Sequence, residues 1–122
     1  MKFGEYLKQK RLENNMKSKT MAKILDISPA YLSSLESGSR QPPSYELLDK
    51  MAAILELNID ERYQLFDLAG ENKHPREIAK DLTEYIYQNP KILEMLRYAM
   101  RCRLSEKEWS IILNFVNRIY KY

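Results

Sequence analysis

Apolar residues recur at helical spacing along most of the chain. Phe3, Leu7 and Arg11 fall at i, i+4 and i+8, with Leu12 beside them, and predict a first helix over 2–14 that Asn14 and Asn15 end. Met21, Ala22 and Leu25 share one face of a second helix over 17–25. Asp26 tolerates the left-handed backbone of a sharp stop, and Ile27 plugs the turn. Ser28 is a good N-cap, because its hydroxyl accepts from a free amide of the next turn. Pro29 suits the first helical position, where no N–H is needed. Leu32 and Leu35 then point inward from a third helix, which Gly38 closes. Two helices joined by so short a turn cross steeply, so 18–37 reads as a helix-turn-helix.

Pro42 and Pro43 prevent helix until Ser44, which caps a fourth helix with Leu47, Leu48, Met51, Ala52 and Leu55 as a core wall. Asp60 is the expected cap of a fifth helix over 61–69, burying Tyr63, Leu65 and Phe66 and stopped by Gly70. Residues 71–75 are polar and form the one boundary the pattern offers. Beyond it, Ile78, Leu82, Tyr85 and Ile86 predict a sixth helix over 76–88. Asn89-Pro90 restarts the helix, with Ile92, Leu93, Leu96 and Met100 expected inward over 90–103. Ser105 and Glu108 form an S-x-x-E capping box for a last helix running to the end, with Trp109, Ile112, Leu113, Val116, Ile119 and Tyr120 in one stripe.

The run M-x-x-x-x-M-A-x-x-L-x-I-S-x-x-Y-L-S-x-L-E-x-G, from Met16 to Gly38, resembles the Cro/lambda-repressor-like (Xre) DNA-binding domain. The resemblance covers about the first seventy residues. Asp26 departs from it where the family prefers glycine, and Lys17 where it prefers a small cap. It implies an all-α fold: a five-helix lambda-repressor-like domain over 1–70, a linker over 71–75, and about three further helices over 76–122. It also implies an ion pair of Arg11 with Glu36 that ties the first helix to the third.

In the family register the third helix enters the major groove. Pro29, Ala30 and Ser34 meet base edges there, flanked by Tyr31 and Ser33. No Arg, Asn or Gln stands on that face, so specificity is expected to lean on Tyr31, serine or water-mediated contacts, and DNA shape. Phosphate contacts are expected at helix ends. Lys17, Ser18 and Lys19 open the second helix, whose amides and dipole favour an anion. Ser28 and Ser37 bracket the third. Arg40 and Gln41 lie in the following loop, which the family lays along the DNA backbone.

Charge adds direction to this picture. The net charge is only +3, but residues 1–25 hold seven cations against two acids, and 41–73 hold three against seven. A basic entry face and an acidic rear would orient the domain on a polyanion. Cys102 is the sole cysteine, which points to a reducing cytoplasm without an intrachain disulfide. No run of eighteen apolar residues and no leader-like N-terminus is present, so no membrane partner is expected. His74 has no second histidine or cysteine near it, and no phosphate-cradling glycine loop or nucleophile motif occurs. Neither metal nor cofactor nor enzyme activity is expected.

The expected function is that of a sequence-specific regulator on double-stranded DNA, a dimeric repressor on a palindromic operator. One such domain covers one half-site and binds weakly. The stripe from Trp109 to Tyr120, with Tyr85, Tyr87, Tyr98 and Tyr122, supplies interface-prone side chains for a homodimer. Two alternatives stay open: an antitoxin-type regulator whose C-terminal helices cover a partner protein, and an interaction module without DNA binding.

Overall fold

The computed structural model describes residues 1–120. Tyr122 and the expected end of the last helix lie outside them. Among the described residues the chain forms eight helices and no strand: α1 (Phe3–Glu13), α2 (Ser18–Leu25), α3 (Pro29–Ser37), α4 (Tyr45–Ile54), α5 (Ile59–Glu71), α6 (Lys80–Gln88), α7 (Pro90–Cys102) and α8 (Glu106–Ile119). It divides into two compact units, Met1–Thr83 and a second that begins at Glu84.

In the first unit α1 packs on α3 and α5, α2 on α3 and α4, and α4 on α5. Phe3, Leu7, Met21, Leu32, Leu35, Met51, Leu55 and Leu65 are fully buried. Each such burial stabilises by about 1.5–3 kcal/mol. Asp26 takes the left-handed conformation at the α2 stop (φ 57°, ψ 45°), and Gly38 does the same after α3 (φ 82°). α1 approaches α3 so closely that a Cβ on Gly4 would stand 2.3 Å from the Glu36 carbonyl oxygen. Only glycine permits that approach.

Two elements differ from the sequence pattern. α5 begins earlier than expected, because Asn58 and not Asp60 is its cap. The Asn58 side chain accepts from Glu61 N–H, and the Glu61 carboxylate accepts from Asn58 N–H at 2.9 Å. This capping box turns the helix so that Leu65, Phe66, Leu68 and Ala69 are buried while Tyr63 is 48% exposed. α5 also continues past Gly70 to Glu71. Gly70 is there for space: its missing Cβ would meet the Glu77 carbonyl at 2.3 Å.

The segment behind that carbonyl is the second difference. Glu77 N–H donates to Gly70 O at 3.0 Å, and Ala79 is buried in the core of the first unit. Residues 72–79 are therefore a strap laid on the first unit, and α6 starts only at Lys80. Ile78, expected inward, is exposed.

The second unit is described by itself. Ser105 and Glu108 make the expected capping box of α8. Leu93, Leu96 and Met100, expected inward, are exposed, and Ala99 is the one buried residue of α7. α8 has no buried residue, and Leu113, Val116, Ile119 and Tyr120 are exposed. Two or three short helices do not enclose a core large enough to bury such wide stripes.

Lys10 bridges α1 to α5, donating to Glu61 at 2.6 Å and reaching Glu13 at 3.1 Å. The hydrogen bond to Glu61 raises the Lys10 ammonium to about 12. The same bond, with the Asn58 amide, holds the Glu61 carboxyl below its ordinary value. The Glu61 contribution to stability is thus present above about 4.5 and is lost as pH falls through the depressed folded value. The Lys10 contribution is lost only as pH rises through about 12. Glu61→Gln keeps the cap acceptor and removes the charge. Its melting temperature is expected to fall below wild type at neutral pH, with the gap narrowing as the pH drops below about 4.5. Thermal melts by circular dichroism across that range check it.

Candidate nucleic-acid interface

Three residues of α3 decide its register. Leu32 and Leu35 are buried, and Glu36 turns back toward α1. The opposite face is left to solvent: Pro29, Ala30, Ser33 and Ser37 are all exposed. They stand at i, i+1, i+4 and i+8, one continuous face.

The register is locked by Arg11. Its Nε donates to Glu36 Oε2 at 2.7 Å, and its Nη2 donates to Glu36 Oε1 at 3.0 Å. Its Nη1 donates to Met16 O at 2.9 Å. Both side chains are 9% exposed, so the pair is buried with its donors spread over two backbone elements. The Glu36 hydrogen bond outweighs burial and holds the guanidinium more firmly charged.

The serines of α3 are not equivalent. Ser28 Oγ accepts from Tyr31 N–H at 3.0 Å and is the helix cap. The Ser34 hydroxyl donates to Tyr31 O at 2.6 Å and is half-buried, so its proton is engaged inside the helix. Ser37 Oγ donates to Ser34 O at 3.2 Å. Ser33 alone of them combines exposure with a position in the middle of the outer face. Tyr31 is half-buried against the core, and the Arg40 guanidinium lies 5.9 Å from its ring centroid. Of the expected base-reading residues, Pro29, Ala30 and Ser33 are brought onto the open face. Tyr31 and Ser34 stand at its edge.

The expected phosphate contacts fall around this face. Lys17 and Lys19 are exposed at the start of α2, with Ser18 half-buried between them. Arg40 and Gln41 are exposed in the loop after α3, and Arg40 N–H donates to Ser34 O at 3.2 Å, which fixes the loop to the helix. Pro43 is buried and anchors its far end. Two further anchors carry no local sequence signal. Gln41 Oε1 accepts from His74 N–H at 3.1 Å, and Asn72 Oδ1 accepts from Phe3 N–H at 2.7 Å. No cluster of three potential metal-ligating side chains occurs among the described residues, and none of their helices is long and apolar enough to cross a membrane.

Residues 7–62 match the helix-turn-helix family model. The match covers a little under half of the chain. Over 114 residues it is 27% identical to the HTH-type transcriptional regulator SinR of Bacillus licheniformis, covering 93% of this chain and 90% of that protein. SinR of Bacillus subtilis is 23% identical over 113 residues, with the same coverage. The ImmF control region 10 kDa protein of Bacillus phage phi105 is 39% identical over 59 residues, 48% of this chain; the match spans 64% of that protein's length. Among solved structures, a SinR protein/SinI protein complex is similar, with a TM-score of 0.50 and 22% identity over 98% of this chain and 99% of that one. Residues 7–62 thus carry a helix-turn-helix segment, and the SinR proteins that are similar over most of the chain are HTH-type transcriptional regulators.

The buried ion pair is testable alone. Glu36→Leu strands the Arg11 guanidinium and is expected to cost about 3–5 kcal/mol in urea unfolding. Adding Arg11→Met to the same chain is expected to recover most of that loss.

Proposed function

We propose that the chain is a dimeric repressor in the cytoplasm, reading a palindromic operator with α3 of each copy in the major groove. The observation that carries this reading is the small, exposed face of α3, framed by the start of α2 and by the Arg40–Gln41 loop. Pro29 and Ala30 offer apolar contact to thymine methyl groups, and Ser33 offers a donor and an acceptor. Lys17, Ser18, Lys19, Ser28, Ser37, Arg40 and Gln41 surround that face with groups suited to phosphate. A face so poor in bidentate donors supplies modest discrimination per protomer, so two half-sites about one helical turn apart are needed.

The C-terminal helices supply the second half of the reading. Trp109, Ile112, Leu113, Val116, Ile119 and Tyr120 run along α8, and the last four are about half exposed or more. Exposed apolar stripes of this width mark protein interfaces. We assign them to a homodimer contact. A second reading places another protein on the same helices; the similar solved structure is a complex of SinR with a second protein, SinI.

The test is fluorescence anisotropy with the DNA upstream of the protein's own gene, across a salt series, beside light scattering for the oligomer. A palindromic site bound as a dimer, with log affinity falling linearly in log salt, is expected. Lys19→Ala with Arg40→Ala should shallow that slope by about 0.9 for each phosphate that is no longer neutralised. Leu113→Asp with Val116→Asp should give a monomer that still unfolds cooperatively and binds the operator far more weakly. Binding no tighter than to random duplex would reject the regulator reading for the partner-protein one.

A further inference from the structure

We propose that Lys2, at the entry to α1, and the strap after α5 complete a second phosphate seat beside the recognition helix. This rests on the DNA-binding reading above and extends it to residues outside the helix-turn-helix. A cavity of about 510 Å³ opens within the first unit between the start of α1, the loop after α3 and the strap. Lys2, Ser39, Arg40, Gln41, Glu71 and His74 supply its polar rim.

The geometry is fixed by long-range hydrogen bonds rather than by flexible side chains. Asn72 accepts from Phe3 N–H at 2.7 Å, which pins the backbone that carries Lys2. Gln41 Oε1 accepts from His74 N–H at 3.1 Å. That bond sets the orientation of the Gln41 amide, so its NH2 donors are turned away from His74. Arg40 is held from the other side by its own N–H on Ser34 O and by the Tyr31 ring. Two cationic side chains, Lys2 and Arg40, and the Gln41 amide thus line one concave surface at the C-terminal end of α3.

The occupant is a backbone phosphate of duplex DNA. The cavity continues the row of phosphate-suited groups from Ser37 to Gln41. Its donors are point charges and an amide, which bind an oxyanion and do not read a base edge. Glu71 is the one carboxylate on the rim. It opposes the anion, so it weakens a seat that the cations strengthen. That balance makes the seat testable in both directions.

The experiment is the same anisotropy salt series with the full chain and operator DNA. Lys2→Gln is expected to weaken binding and to shallow the salt slope by about 0.9 per protomer. Lys2→Arg should restore the wild-type slope, and Glu71→Gln should strengthen binding. Lys50→Gln, the same charge change on α4 outside the cavity, should leave the slope unchanged. Gln41→Glu keeps the acceptor for His74 and removes the donors; it should weaken binding with no change in melting temperature. Wild-type slopes in Lys2→Gln and wild-type affinity in Glu71→Gln, with operator binding intact, would overturn the seat and leave the regulator reading standing. Saturable binding of inorganic phosphate that Lys2→Gln abolishes, with DNA slopes untouched, would assign the cavity to a small anion and also overturn it. Failure of the wild type to bind any duplex would end both readings.

Discussion

The Arg11–Glu36 pair is the constraint on which the first unit depends. A buried guanidinium is costly unless it is paired and hydrogen-bonded. Here its three donating nitrogens reach Glu36 and the Met16 carbonyl, so one side chain joins α1, the turn into α2, and the end of α3. The pair can form only if α1 lies almost on the α3 backbone, and Gly4 makes room for that. Space at one end of α1 and charge at the other set the angle at which α3 is presented. The hydrophobic core alone would not choose it, since Leu32 and Leu35 would tolerate a range of rotations.

With that angle fixed, what α3 offers outward follows from which of its polar groups are already engaged. Serine at a helix interior tends to bond a carbonyl of the preceding turn. Ser34 and Ser37 do so, and Ser28 uses its acceptor on the cap. The open face is therefore smaller and less polar than a count of serines suggests. In the proposed reading, shape and thymine methyl contact carry more of its discrimination than hydroxyl donors do. In that reading the cations around it supply affinity, and their dependence on salt is a property of the phosphate backbone rather than of sequence.

Much of this is legible in the residues. The α2–α3 turn can be read because it is local: Asp26, Ser28, Pro29 and Gly38 each have a single backbone task that their chemistry announces. The α5 start is misread because two good caps, Asn58 and Asp60, stand two residues apart; the reciprocal bonds with Glu61 favour Asn58, and Tyr63 turns outward in consequence. Gly70 reads as a stop and is instead a clearance inside a helix. The strap leaves no trace in the pattern. Its bonds join residues 33 and 69 apart in sequence, and a polar stretch with a proline reads the same whether it swings free or is tied down. The inward faces of α7 and α8 are overestimated for a related reason. Periodicity reports that a face is apolar, not what it packs against.

The two units differ in the state of their apolar surface, and that difference has a thermodynamic consequence. The first has a closed core and an exposed α3 face. The second leaves Leu113, Phe115, Val116 and Ile119 exposed on one helix, where the reading proposed above places a second copy. With association assigned to the second unit, DNA affinity becomes a function of what occupies that surface. A second copy supplies a second half-site and raises affinity through effective concentration, without any new contact to a base. A different protein on the same stripe removes that gain by mass action, while α3 and its ion pair remain untouched. Control of such a regulator therefore needs no signal transmitted through the domain core. On the proposed reading it needs only competition for the apolar stripe that α8 leaves exposed.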